Sequence, residues 1–250
     1  MSDAALDQAL FVPPLNLDTA IVGSHLLTFD ELDSTNTFAL RHGTDGMVIV
    51  ADSQTAGRGR YGRAWHSAPG LGLWFSVALE GHDAAEGLAF GAALAVREAL
   101  RTGCHPEIKW PNDLLVHGKK VCGILVERRH GRTALGIGIN VHHRPEDFPE
   151  PLREKAASLE TATGTAWNRA EVLRAVLTHL DRQVMLLRSG KYEAVRRAWA
   201  DACNLTGRRV RCGGLVGTVA GVDGRGALLL DTYRGVQRLV SGEIALVEGV

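Results

Sequence analysis

Ile108-Lys-Trp-Pro-Asn-Asp-Leu-Leu-Val116 is followed by the turn His117-Gly118, then by Lys120-Val-Cys-Gly-Ile-Leu-Val-Glu127, the turn Arg129-His-Gly-Arg132, and Thr133-Ala-Leu-Gly-Ile-Gly-Ile-Asn-Val141. Three apolar runs of strand length are thus separated by short glycine-bearing turns, which is the pattern of β-hairpins. Parallel strands would need a crossover of a dozen or more residues between runs, and the turns leave no room for one. The three strands are predicted to be antiparallel neighbours. The fold class that follows is α+β, a mixed, largely antiparallel sheet with packed helices, rather than a doubly wound parallel sheet.

Upstream, Met47-Val-Ile-Val-Ala51 and Leu71–Leu79 read as strands on either side of a loop, Gln54–Trp65, and Leu26–Leu32 reads as a further short strand. Asp33-Ser-Thr-Asn36 precedes a brief helical run, Thr37–Arg41, closed by Gly43, with Ser34 or Thr35 as the natural N-cap. From Ala84 to Arg101, Leu88, Ala92, Ala95, Val96, Ala99 and Leu100 form the apolar face of a helix that Gly103 stops. Downstream, residues 142–166 carry Pro145, Pro149 and Pro151 among charges and read as a surface loop of the kind that often forms a lid. Asn168 with Glu171 opens a helix whose apolar spacing runs from Val172 to Leu187, and a second helix follows from Tyr192 to about Ala202. From Leu205, five short strands with glycine turns indicate a small β-barrel. The expected organisation is an N-terminal arm over residues 1–24, a main domain over 25–204 and the barrel over 205–250.

A chain of 250 residues with 45% hydrophobic and 22% charged residues can bury a sizeable core. Lys and Arg together number 28, as do Asp and Glu, so bulk charge gives no case for a nucleic-acid or membrane partner. Any anion site must be local. Cys104, Cys122, Cys203 and Cys212 stand at wide spacings without a C-x-x-C pair, which reads as free thiols in a reducing cytoplasm. No apolar run reaches the roughly 18 residues needed to span a bilayer.

The local anion site is sought in Gln54-Thr-Ala-Gly-Arg-Gly-Arg-Tyr-Gly-Arg-Ala-Trp65. Its glycines let backbone approach a ligand, and Arg58, Arg60 and Arg63 carry guanidinium forks that match carboxylate and phosphate oxygens. The competing reading is an Arg/Gly segment that stays disordered until it meets nucleic acid. Mutual repulsion of the arginines leads us to expect a loop that is mobile until an anion orders it. In Lys109-Trp-Pro-Asn-Asp113, Asn112 and Asp113 offer oxygens that could hold Mg²⁺ beside nucleotide phosphates, or they are only the solvated residues of a strand-opening turn. Lys120 lies across the hairpin from them. It either points into water or neutralises charge on a carboxylate–phosphate intermediate. Gly123, Gly136 and Gly138 thin adjacent strands, for a ligand's approach or merely as weak packing.

Taken in order, Asp33-Ser-Thr-Asn36, Gln54 with Gly57-Arg-Gly-Arg-x-Gly-Arg63, Lys109-Trp-Pro-Asn-Asp113, Lys120 with Gly123-Ile-Leu-Val-Glu127, and Gly136-x-Gly-Ile-Asn140 closely resemble the biotin protein ligase family. Gly226-Ala-Leu-Leu-Leu230 and Gly242-Glu-Ile244 resemble that family's C-terminal domain, so the likeness covers nearly all of residues 26–247.

The resemblance implies a class II synthetase-like catalytic domain with an SH3-like barrel. It also implies an ATP-dependent, cytoplasmic ligase that makes biotinyl-5′-AMP and passes biotin to a lysine of a biotin carboxyl carrier domain, with Mg²⁺. By position, Ser34, Thr35, Asn36, Gln54, Arg58, Gly59, Arg60, Lys120 and Gly123 match the biotin site. Arg58, Arg60, Arg63, Trp65, Asn112, Lys120 and Asn140 match the ATP site, and Asp113 is the metal candidate. Lys120, Arg58 and Arg60 match the catalytic set. The resemblance is compatible with a homodimer. About 25 residues precede the first strand, too few for the three-helix DNA-binding head that some members carry, so neither DNA nor membrane is expected as a partner. The alternatives are a lipoate or octanoate ligase of the related fold and a biotin-responsive regulator. Two departures stand out: Tyr61 occupies a position that is basic in many members, and residues 142–158 lack a tryptophan to stack on adenine, leaving Phe148 or a proline as substitute.

Overall fold

The computed structural model of the chain describes residues 10–11, 17–80 and 85–247. Its main sheet has eight strands: β1 (Leu10–Phe11), β2 (Leu26–Leu32), β3 (Val48–Gln54), β4 (Gly72–Glu80), β5 (Glu107–Lys109), β6 (Asp113–Val116), β7 (Lys119–Arg129) and β8 (Arg132–Asn140), in the order β1-β2-β3-β4-β8-β7-β6-β5. Every neighbouring pair is antiparallel except β2 and β3, which run parallel. That parallel pair is joined over the sheet by helix α1 (Thr35–His42), two residues longer at its start than the sequence pattern indicates.

The hairpins that decide the fold form as read, with one change. The first apolar run is not a single strand: it breaks at Trp110-Pro111, whose peptide is cis, and folds back so that Lys109 lies opposite Asp113. Proline has no N–H to give to a ladder, so the run cannot pass straight through it. Asn112 and Asp113 are thereby lifted into a hairpin tip beside β7. In β7 and β8 the register sets Gly123 opposite Gly138 and Leu125 opposite Gly136.

Alternation along β8 then separates two environments. Leu135, Ile137 and Ile139 join the main core with α2 (Ala85–Leu100) and α4 (Arg169–Arg188), while Ala134 belongs to a smaller core under α1 that includes Phe29, Phe38 and Ile49. Each fully buried Leu or Ile contributes about 1.5–3 kcal/mol. The glycines between them leave the α1 side of the sheet bare. A side chain from α4, Asp181, accepts the backbone N–H groups of Ala20, Ile21 and Val22 at 2.8–3.0 Å and pins the chain leading into β2. Most of the expected N-terminal arm lies outside the described residues.

Residues 142–166 are more ordered than a plain loop. They contain 3-10 turns at Pro145–Asp147 and Glu150–Leu152 and the short helix α3 (Leu159–Thr163), capped by Ser158. After α5 (Tyr192–Cys203), five strands form a second, antiparallel sheet: β9 (Arg209–Cys212), β10 (Leu215–Val222), β11 (Leu228–Thr232), β12 (Gly235–Leu239) and β13 (Ile244–Leu246), in the order β12-β11-β10-β9-β13. Among the described residues no ladder joins β12 to β13, which stand at the two ends of this strand order. Trp110 Nε1 donates to Gly226 O at 3.0 Å, and this buried bond fastens the second sheet beside the Pro111 turn.

Candidate active site

The α1 side of the sheet holds a cavity of about 470 Å³. Its floor is made by what the glycines omit. A Cβ on Gly123 or Gly138 would come within 2.7 Å of the Trp65 ring, and one on Gly136 within 2.5 Å of Asn36 Oδ1. The indole therefore lies on bare sheet, edge-on to Trp74 with centroids 6.1 Å apart. The sequence left these glycines between ligand approach and weak packing. The structure adds a third reason: they seat two of the site's own side chains.

At one end the cavity wall is polar, neutral and buried. Thr35 donates to Gln54 Oε1 from its backbone N–H at 2.9 Å and its hydroxyl at 3.2 Å, and Gln54 Nε2 donates to Ser67 Oγ at 2.8 Å. Ser76 Oγ lies 2.7 Å from Thr35 Oγ1 and 2.6 Å from Asn36 Oδ1. Ser34, Thr35 and Asn36 are all buried. Ser34 does occupy the N-cap, but its oxygen accepts from Thr37 N only at 3.5 Å, so capping by itself is a weak account of the tetrad. Sequence reasoning missed Ser67 and Ser76. A signal for Ser76 existed: it is a lone hydroxyl within the apolar run Gly72–Leu79.

Beyond this cluster the lining is largely charged. Tyr61 and Gly62 adopt φ of 60° and 70°, a left-handed turn that spaces Arg60 from Arg63. Each of the three arginines has a protein partner. Arg58 pairs with Glu127 at 3.5 Å and donates to Thr37 Oγ1 at 2.9 Å; Arg60 donates to Asn112 Oδ1 at 3.3 Å; Arg63 pairs with Glu243, just before β13. Tyr61, 70% exposed, sits under the Arg60 guanidinium at 5.2 Å and accepts from it at 3.1 Å, so the ring serves as a rest for Arg60.

Lys120 Nζ is 2.6 Å from Asp113 Oδ1 and 5.0 Å from the Trp65 ring centroid, and so projects into the cavity rather than into water. Its backbone is tied on both sides to the 142–157 segment: Lys120 N donates to Lys155 O at 2.8 Å, and Ala157 N to Lys120 O at 3.0 Å. Asn112 Nδ2 donates to Ile124 O at 2.7 Å, which fixes the hairpin tip. Asn140 spends its amide hydrogens on the carbonyls of Ala157 and Lys120, at 3.1 and 3.4 Å, and braces the wall behind the lysine. Gly59 lines the cavity as well.

Phe148 is buried with its ring stacked on His143, centroids 4.6 Å apart and planes 11° apart, and it borders the charged end. His143 is itself fully buried, and burial, aided by the neighbouring His66, lowers its pKa to about 4. The Cys122 thiol, behind the floor, is pushed far above the usual thiol range by burial. Among the described residues no three His, Cys, Asp or Glu side chains form a metal-binding group, and no helix is long and apolar enough to cross a membrane.

The family described as Biotin/lipoate A/B protein ligase matches residues 28–143. The chain is 36% identical over 248 residues to the bifunctional ligase/repressor BirA of Bacillus subtilis, an alignment covering 92% of this chain and 76% of that protein. It is 34% identical over 231 residues to the biotin--[acetyl-CoA-carboxylase] ligase of Paracoccus denitrificans, covering 85% of this chain and 96% of that one. Among solved structures, the biotin protein ligase from Aquifex aeolicus in complex with biotin and ATP matches with a TM-score of 0.79 and 32% identity, covering 90% of this chain and 100% of that chain.

Proposed function

The chain belongs to the biotin protein ligase family, and on that premise we propose that it activates biotin with ATP and transfers it to a lysine of a biotin carboxyl carrier domain, with the residues above in defined roles. The observation that carries the assignment is one cavity with a neutral, buried polar end and a cationic end. A cyclic urea has two N–H donors and a carbonyl acceptor, which the Ser34, Thr35, Asn36 and Gln54 cluster can satisfy. A lipoyl or octanoyl tail has no such groups and would make no use of the hydrogen-bonding capacity that this cluster turns to the cavity. That disfavours the lipoate reading.

In the first step a carboxylate oxygen of biotin attacks the α-phosphorus of ATP and pyrophosphate leaves, giving biotinyl-5′-AMP. Two anions must meet, and negative charge gathers on the phosphoryl oxygens as they do. Lys120, fixed by the backbone pairs on either side of it, is placed to hold that charge, and Arg60 and Arg58 can turn from their protein partners to the phosphates. Trp65 supplies an apolar wall between the two ends. In the second step the carrier lysine's amine attacks the acyl carbon and AMP leaves, and the loop 54–65 excludes water from the anhydride.

Mg²⁺ fits this donor set as an ion carried by the phosphates, because it retains waters and takes only one or two protein carboxylates. Asp113 would hold it, and the ion would add positive charge at the phosphates. Phe148 is the aromatic nearest to an adenine platform in the tryptophan-free segment. Balanced charge across the chain supports an enzyme without a nucleic-acid partner. Pyrophosphate exchange into ATP tests the reading: biotin should support it and lipoate should not. Equal exchange with both acids would overturn it.

A further inference from the structure

Glu127 lies on the same face of β7 as Gly123 and Leu125, the face turned to the cavity and α1. Its Oε2 accepts a hydrogen bond from Asn36 Nδ2 at 2.8 Å and lies 3.5 Å from Arg58 Nη2. The same guanidinium nitrogen donates to Thr37 Oγ1 at 2.9 Å. A single carboxylate oxygen therefore joins the neutral end of the site to the first arginine of the loop.

Two consequences follow from the chemistry of that oxygen. A carboxylate only accepts, so the Asn36 amide must turn Nδ2 to Glu127 and Oδ1 to Ser76. Its amide hydrogens are then taken by Glu127 and, at 3.4 Å, by Leu125 O. Toward a ligand, Asn36 is left as an acceptor, which is what a urea N–H requires. The carboxylate charge also holds Arg58 against α1. Both side chains are about two-thirds covered, so the pair is screened less than one in open solvent.

We propose that Glu127 is a positioning residue for the ligation reaction: it fixes Asn36 as the acceptor of a urea N–H and parks Arg58 against α1, anchoring the start of the loop. The Asn36 half rests on the ligase reading above; the Arg58 half does not need it. Glu127 makes no contact with reacting atoms in this arrangement and acts through those two residues.

The test uses the full chain carrying Glu127→Gln. Glutamine keeps the size of the side chain, but its amide can donate and so lets Asn36 flip, and it removes the charge facing Arg58. The expected result is a KM for biotin raised by about tenfold with kcat changed by less than about threefold, a split that marks lost ground-state orientation. Amide hydrogen exchange across residues 54–65, measured with no ligand, should quicken while exchange in α4 stays as in the parent. In an Arg58→Ala background the substitution should add nothing to loop exchange but should still raise the biotin KM. Either arm unchanged within about twofold overturns the proposal, as does faster exchange spread evenly through the chain, which would mark a merely structural role. A parent chain with no biotin-dependent pyrophosphate exchange would instead sink the ligase reading, and loop exchange without ligand would still decide the Arg58 half.

Discussion

The two ends of the cavity are built by opposite means. At the neutral end, Thr35, Asn36, Gln54, Ser67 and Ser76 hydrogen-bond one another at 2.6–3.2 Å from helix, strand and loop, and the side chains that face the ligand are already fixed. At the charged end, Arg58, Arg60 and Arg63 are each held by a different acceptor, Glu127, Asn112 and Glu243, on three separate elements. The first end is preorganised. The second is conditional: an arriving anion must displace a neutral amide from Arg60, an exposed ion pair worth about 0–1 kcal/mol from Arg63, and a more covered pair from Arg58. Under the proposed function, recognition falls to the first end and chemistry to the second.

Lys120→Ala breaks that division most directly, and the largest effect is expected there. Removing a cation aimed at developing charge should lower adenylate formation by about 100–1000-fold, the range for a single lost electrostatic stabiliser. Biotin affinity, set at the other end, should move by less than about threefold. Calorimetry for biotin and single-turnover adenylation separate the two. A variant that loses biotin affinity but adenylates normally at saturating biotin would abolish the distinction.

Gly136→Ala probes the neutral end in the complementary way. Its Cβ would stand 2.5 Å from Asn36 Oδ1, so the amide must shift, and overpacking of this kind costs about 1–3 kcal/mol. The expectation is a biotin affinity lowered by about tenfold or more, with the rate at saturating biotin much less affected. Titration calorimetry together with kcat measured at saturation checks this. An unchanged affinity would mean that Asn36 is not part of the recognition surface.

Arg60→Gly sharpens the picture of the conditional end. The loop would keep Arg58 and Arg63 but lose its tie to Asn112 and its rest on Tyr61. Activation should survive in part, while the adenylate escapes and labels bystander lysines about tenfold more than the parent does, the loss expected from one contact worth about 1.4 kcal/mol. A streptavidin blot against an unrelated acceptor protein reads the outcome. Labelling equal to the parent's would show that Arg60 does not retain the intermediate.

How much of this was legible beforehand follows the same division. The hairpin glycines, the order of motifs and the pairing of Lys120 with Asp113 were readable because turn chemistry and two-residue alternation are local rules. The parallel partnership of β2 with β3 was not, since α1 lies between them and nothing local states which side of the sheet the chain returns to. Nor was the break at Trp110-Pro111, where the length of the apolar run outweighed the proline. Ser67, Ser76 and Glu127 escaped because each is a single polar residue whose meaning lies in partners 13 to 91 positions away. The arginines were found by type, but their acceptors on three elements could be known only from the fold.

The smallest effect concerns the segment that braces Lys120, and pH reaches it through His143. Folded His143 stays neutral down to about pH 4, chiefly because burial disfavours its charged form and secondly because His66 stands nearby. Unfolded imidazole titrates near pH 6.5, or about that. Between those values the unfolded chain takes up a proton that the folded chain refuses, so this contribution to stability is whole above about pH 6.5 and is lost as pH falls toward about 4. His142, paired with Glu160 at 3.0 Å, and Asp147 are the other titratable groups beside it. His143→Phe keeps a ring against Phe148 and removes the proton site. It should melt within a few degrees of the parent near pH 7.5, a change of about 1 kcal/mol or less, and lose stability less steeply on acidification. Melting temperatures taken from about pH 7.5 to about pH 4.5 compare the slopes. If the two chains decline in parallel, the acid sensitivity belongs to another group, and the stack at Phe148 holds the 142–157 segment against Lys120 without regard to pH.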